Sequence, residues 1–286
     1  MLSAIHWLLY SHLFIGICAA SITWLTYHLL DLPVSGAPPE VVLAGSGAII
    51  VYILHRHLGM MRLIDVKLPN RYRQMLYIWP TTVGLFILSC LGLLYAFWQI
   101  PTKDWATLFI PFILTLGYLL PLFNGKRMRD LPFIKIALVA IVWAWVSVVL
   151  PIVRYEIVLL SPKIALVVTE RALFIFAITI PFDIRDVAQD IQAGTKTIPS
   201  TMRLESSKLL AGIALFIALF IDIVLMSYYH LYSIGVFAGF LFTYVLSLGL
   251  IMKTRPDLPD IYFTGLMDGT MLVLVASVLL FERLLQ

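Results

Sequence analysis

Long apolar runs broken by short polar stretches set the pattern of this chain. A run needs about 17 to 25 apolar residues to cross the hydrocarbon of a bilayer, and nine runs qualify as spans on this reading. They cover Ile5–Leu30, Glu40–Leu54, Tyr77–Trp98, Trp105–Phe123, Phe133–Val153, Ile164–Phe182, Leu209–Tyr228, Leu231–Met252 and Ile261–Phe281, the second being the shortest. The pattern predicts an all-α, polytopic membrane bundle of nine transmembrane helices forming a single domain over residues 1–286. Composition agrees, because 61% of the residues are hydrophobic and only 13% are charged, against about a quarter charged in soluble domains.

The placement of charge tests the span count independently, since cytoplasmic loops accumulate Lys and Arg. The connections after spans two, four, six and eight hold Arg56, Arg62, Lys67, Arg71, Arg73, Lys126, Arg127, Arg129, Arg185, Lys196, Arg203, Lys208, Lys253 and Arg255. The opposite connections and the C-terminus hold only Lys103, Arg154, Lys163 and Arg283. Fourteen against four predicts an N-terminus inside and a C-terminus outside. The first run lacks a basic leader and a small-residue cleavage site, so it reads as a retained span. Together with the lack of a transit-like N-terminus, this points to a multi-pass protein of a bacterial cytoplasmic membrane. The net charge of +4 follows topology and gives no sign of a nucleic-acid partner, because no basic cluster is interleaved with aromatics. Cys18 and Cys90 lie in apolar runs without partners and suggest neither a disulfide framework nor a metal site.

One polar stretch stands out at the mouth of span six: Asp183-Ile-Arg-Asp186-Val-Ala-Gln-Asp190, followed by Ile-Gln-Ala-Gly194-Thr-Lys196-Thr-Ile-Pro199. Positions i, i+3 and i+7 of a helix share one stripe. Three like charges on that stripe repel unless a cation sits among them. A divalent ion with hard oxygen ligands, Mg2+ shared with a phosphate, is the natural partner; a solvated acidic helix end is the alternative. Other charges lie inside spans, where they are costly and face an interior or a cavity. Glu170 and Arg171 are sequence neighbours projecting about 100° apart, so each is expected to pair with another helix, and Asp222 and Asp268 lie in spans seven and nine. His6, His12 and His28 are scattered over span one without ligand spacing and read as packed or interfacial.

With spans, sidedness and acids in hand, the chain resembles the UbiA-type intramembrane prenyltransferases. The resemblance covers nearly the whole chain and rests first on the pattern DIRDxxxDxxxGxKTxP, carried by Asp183, Asp186, Asp190, Gly194, Lys196, Thr197 and Pro199. Tyr118, Pro121 and Lys126-Arg127 after span four, and Asp268-Gly269 in span nine, match the family as well. It implies nine helices around a site facing the cytoplasm, where Mg2+ binds an isoprenyl diphosphate whose prenyl chain passes to an aromatic or other lipid-soluble acceptor. On that basis Asp183, Asp186 and Asp190 are the expected metal ligands and catalytic carboxylates. Lys126, Arg127 and Lys196 are expected to bind the diphosphate. The sequence departs from the family after span two, where a second aspartate motif is expected and His55-Arg56-His57 stands instead, with Asp65 the only acid before span three. Arg56, with Arg71 and Arg73 behind it, is expected to meet phosphate directly there. This departure keeps a second reading open, a non-catalytic lipid-binding or scaffold subunit of a membrane complex. A small-solute transporter has weaker grounds, because no repeat of broken spans is evident.

Overall fold

The computed structural model describes residues 4–34, 36–61, 70–122, 125–159 and 161–285, with the backbone alone at 70–72. Among these residues the secondary structure is helical, without strands. The main helices are α1 (Ala4–Tyr10), α2 (Leu13–Leu29), α3 (Pro39–Met61), α4 (Asn70–Tyr77), α5 (Trp79–Gln99), α6 (Trp105–Leu119) and α7 (Ile134–Ala144). The last of these continues through a π-helical turn at Trp145–Val149 into α8 (Leu150–Arg154). There follow α9 (Pro162–Gln192), α10 (Ile198–Thr201), α11 (Leu204–Ser227), α12 (Ile234–Lys253) and, after a π-helical turn at Tyr262–Met267, α13 (Asp268–Leu284).

Seven of these segments are long and apolar enough to cross a membrane, and α1 with α2 makes an eighth if counted as one span bent by 70°. The remaining predicted span, Trp105–Phe123, is helical only as the 15-residue α6, about 22 Å at 1.5 Å per residue. Nine is thus an approximate count. The chain leaves the helix at Leu120-Pro121 because proline cannot continue the bonding ladder and biases the residue before it toward extended backbone, which Leu120 adopts.

Successive connections alternate between two ends of the bundle, as the charge pattern requires. At one end Tyr27 hydrogen-bonds Glu40, Tyr155 donates to the Pro33 carbonyl at 2.7 Å, Lys103 pairs with Glu156 and His28 lies 2.6 Å from Glu282. At the other end Arg129 reaches His55, Lys135 reaches α9, and Arg185 lies 3.8 Å from Asp260. The predicted basic connections meet at that second end, except 62–69, which lies outside the described residues.

Helix α9 is the spine, burying Val167, Phe174, Ile175, Ile178 and Ile184, and packs chiefly against α7 and α11. Lipid tails are as apolar as Leu, so close backbone approach and interhelical hydrogen bonds hold such a bundle together. Helices α12 and α13 meet through Gly235 and Gly239, with Ser277 Oγ donating to the Gly239 carbonyl at 3.0 Å and lying 2.9 Å from Thr243 Oγ1. Helix α5 instead turns Leu88, Leu91 and Leu94 outward, the face a lipid-exposed helix presents. Glu170, Arg171 and Asp222 are fully buried. As expected, each of the first two finds its better partner on another helix. Tyr244 donates to Glu170 at 2.5 Å and Arg171 donates to the Ile22 carbonyl at 2.9 Å, while Glu170 and Arg171 stand 3.7 Å apart.

A Cβ at Gly239 would sit 2.5 Å from the Cα of Val278, so α12 and α13 would have to separate. Gly239→Val should therefore destabilise the protein by about 1–3 kcal/mol through overpacking, lowering its thermal midpoint in detergent. Gly249→Val, where no atom lies within 4 Å, should leave that midpoint unchanged.

Candidate functional site

The acidic stretch belongs to the last turns of α9. Its apolar part, Ile164–Phe182, spans about 28 Å at 1.5 Å per residue, close to the roughly 30 Å of bilayer hydrocarbon. Asp183 therefore falls at the hydrocarbon boundary, and the helix continues beyond it to Gln192. Gly194 ends the helix in the left-handed region, with φ 67°, which glycine adopts without steric cost. The rest of the motif builds the following turn. Thr197 caps α10 together with Ser200, and Pro199 sits in its first turn. The carbonyl of Lys196 accepts a 3.0 Å hydrogen bond from the backbone N–H of Phe133, which pins the start of α7 against the end of α9.

That pin brings Lys135, the second residue of α7, into the acidic stripe. Its Nζ lies 2.7 Å from Asp183 Oδ1 and 3.1 Å from Asp190 Oδ2. All three side chains are nearly or fully buried. Asp183 and Asp190 share one helix face, as predicted, and the cation between them is an ammonium group of the chain itself. Asp186 is held differently: Arg185 grips it with two bonds of 2.9 and 3.0 Å, a fork geometry that suits a guanidinium and a carboxylate. Among the described residues no three His, Cys, Asp or Glu side chains form a group that could hold a metal ion. The residues expected to bind Mg2+ do not fit that role in this arrangement, because Lys135 lies between Asp183 and Asp190 and Arg185 grips Asp186.

Above this stripe opens a cavity of about 210 Å3. Charged and polar groups line one end: His55, Arg56, Arg129, Lys135, Asp183, Arg185 and Asp186, and Asp268 of α13 lines the cavity as well. Each helix that supplies one of them turns apolar as it runs inward, from Lys135 to Leu138, Val142 and Trp143 on α7, and from Asp183 back to Ile178 and Ile175 on α9. Lys135 to Trp143 is eight residues, or about 12 Å of depth. Arg129 has no carboxylate within ion-pair distance among the described residues; its guanidinium stands over the Tyr118 ring, 4.8 Å from the centroid, and against His55. Burial disfavours its charge, but Tyr118, Asp190, Asp130 and Asp183 outweigh that and hold its pKa above the ordinary value. The cavity thus carries a guanidinium whose nearest partners are a phenol ring and an imidazole, not a carboxylate.

The structure sorts the expected cations. Arg56 lines the cavity. Lys126 and Lys196 are exposed and lie away from it, and Arg127 is turned aside by a two-bond pairing with Asp130 at 2.7 and 2.9 Å. None of the three lines the cavity. The side chain of Arg71 and all of Asp65 lie outside the described residues. Sequence reasoning did not single out Lys135 and Arg129. For Lys135 there was a signal, a lone ammonium two residues into an apolar run, where a charge is costly without a partner. His12, expected to be packed or interfacial, sits at the bend between α1 and α2, with φ 67°, and lines the cavity with its Nε2 unpartnered.

No family model and no curated protein matches the sequence. Solved structures do match the fold. A UbiA homolog from Aeropyrum pernix K1 superposes with a TM-score of 0.57 at 14% identity, covering 99% of this chain and 98% of that one. A digeranylgeranylglyceryl phosphate synthase superposes with a TM-score of 0.57 at 13% identity, covering 96% and 98%. The chain has the UbiA-type intramembrane prenyltransferase fold from end to end.

Removing one partner of a buried ion pair leaves an uncompensated charge and costs about 3–5 kcal/mol. Lys135→Met should destabilise the protein by that order, seen as a lower thermal midpoint in detergent. The triple variant Lys135→Met/Asp183→Asn/Asp190→Asn should recover most of the loss, because no charge remains to be matched.

Proposed function

We propose that the cavity binds an isoprenyl diphosphate, with the diphosphate at its charged end and the prenyl chain between α7 and α9, and that the protein transfers the prenyl group to a lipid-soluble or aromatic acceptor. The observation that carries this reading is the polarity gradient of a single cavity. An amphiphile with a strongly anionic head and an apolar tail matches a site with Arg56, Arg129 and Arg185 at one end and Trp143, Val142, Ile175 and Ile178 at the other. The shared fold supports the same reading.

In the transfer step the bond between the allylic carbon and the diphosphate oxygen breaks, and its electron pair leaves with the diphosphate. Charge therefore builds on the leaving oxygens, where fixed cations in a site shielded from water stabilise it most. Arg129 is the best placed of these, being half-buried with no carboxylate within ion-pair distance among the described residues; Arg56 lines the same cavity. The acceptor forms the new bond to the allylic carbon and gives up a proton. Asp183, Asp186 and Asp190 shape the charged wall, holding Lys135 and Arg185 in place for the anion.

A second reading has its own observation. Each carboxylate of the acidic stripe has a cation of the chain beside it, and a protein that binds a prenyl or other lipid phosphate without turnover, as a subunit of a membrane complex, needs no more than that.

Hydrogen bonds to charged groups contribute about 1.5–3 kcal/mol each. Arg129→Ala and Arg56→Ala should thus each weaken binding of a non-hydrolysable geranylgeranyl diphosphate analogue by about 10- to 100-fold, measured by calorimetry on detergent-purified protein. Release of inorganic diphosphate from authentic substrate in the presence of a suitable acceptor would support the transferase. Analogue binding without release across an acceptor screen would favour the non-catalytic subunit, and no binding by the unmodified protein would sink both readings.

A further inference from the structure

We propose that Lys135 is the resident cation of the acidic stripe, so that this site takes its anionic ligand without a divalent ion. The inference rests on the diphosphate reading for the identity of the ligand, but not for the role of Lys135. Its basis is geometric. Two carboxylates seven residues apart on one helix face need a positive charge between them, and the Lys135 ammonium stands 2.7 and 3.1 Å from one oxygen of each. The third carboxylate is gripped by Arg185, which also lies over the Phe182 and Phe263 rings at 5.2 Å. Arg185 is thereby fixed from several directions, so Asp186 does not swing toward Asp183 without breaking two bonds. The cations that line the cavity are all borne by the chain: Arg129, without a carboxylate partner among the described residues, Arg56, Lys135 and Arg185, with the carboxylates of Asp183, Asp186 and Asp268 in the same lining.

The loss of acids after α3 fits the same scheme. Where the resemblance leads one to expect a carboxylate motif, this chain has His55-Arg56-His57, and Arg56 and His55 line the cavity. A second set of carboxylates would serve to share metal ions across the site, whereas direct contact of anion with guanidinium needs none. Ammonium and guanidinium groups supply fixed positive charge and directed donors without an ion that must first lose its water shell.

The test combines ligand affinity with direct ion binding on the full chain in detergent. Affinity of the wild type for the geranylgeranyl diphosphate analogue should change by less than about twofold when Mg2+ is replaced by EDTA. Lys135→Met should bind the analogue at least about tenfold more weakly in EDTA and recover when Mg2+ or Mn2+ is added. Mn2+ titrated without any lipid and followed by electron paramagnetic resonance should bind to Lys135→Met, through the vacated Asp183 and Asp190, and not to the wild type or to Lys135→Met/Asp183→Asn. Loss of analogue binding by the wild type in EDTA would overturn the proposal, as would Mn2+ binding by the wild type that Asp183→Asn abolishes. If the wild type ignores the analogue in both buffers, the prenyl diphosphate reading fails, and the Mn2+ titrations still decide the role of Lys135. If Lys135→Met does not fold, the wild type and Asp183→Asn carry the ion test, and Lys135→Arg, which keeps the charge, should remain insensitive to EDTA.

Discussion

Two like charges on one face of a helix, at the edge of a membrane, can persist only with a counter-charge between them. In this protein the Lys135 ammonium meets that constraint from the neighbouring helix. The bridge to Asp183 and Asp190 closes the end of the bundle where α7 meets α9, and the Phe133 to Lys196 backbone bond holds the two helices in register for it. Unit charges a few ångströms apart interact far more strongly away from bulk water than in it. The position of α7, and with it one wall of the cavity from Leu138 to Trp143, therefore depends on this contact.

The cavity inherits its polarity from the membrane. A spanning helix is apolar where it meets hydrocarbon and polar where it leaves it, so helices entering from one end bring their charges to one level and their apolar turns to the next. Asp183 on α9, Arg56 on α3 and Lys135 on α7 all lie where apolar runs begin or end. A pocket formed between such helices is amphiphilic without further design. The chain then tunes it by adding Arg129 from the connection after α6 and by turning Arg127 away onto Asp130.

The two halves of the long motif do different physical work. Asp183, Asp186 and Asp190 are side-chain elements of the charged wall. Gly194, Thr197 and Pro199 are backbone elements: a left-handed helix end, a cap and a first-turn proline. Lys196 belongs with them, since its carbonyl is engaged while its side chain is exposed. A motif read as a row of ligands is thus in part the local architecture that presents them.

Several features were legible because they depend on short-range order along the chain. The spans follow from runs of apolar residues, the alternation of ends from where Lys and Arg fall, and the shared face of Asp183 and Asp190 from helical periodicity. The bend at His12 and the short α6 were not, because they depend on how neighbouring helices accommodate a broken or shortened span. Nor could the sequence separate Arg56, which faces the cavity, from Lys126, Arg127 and Lys196, which do not; all four are basic residues in loops or at helix ends. By itself the sequence determined which segments enter the membrane and which acids share a stripe, since both are properties of one continuous segment. Only the tertiary structure decided which cation fills that stripe, because Lys135 lies 48 to 55 residues away along the chain and reaches the acids only when α7 packs on α9.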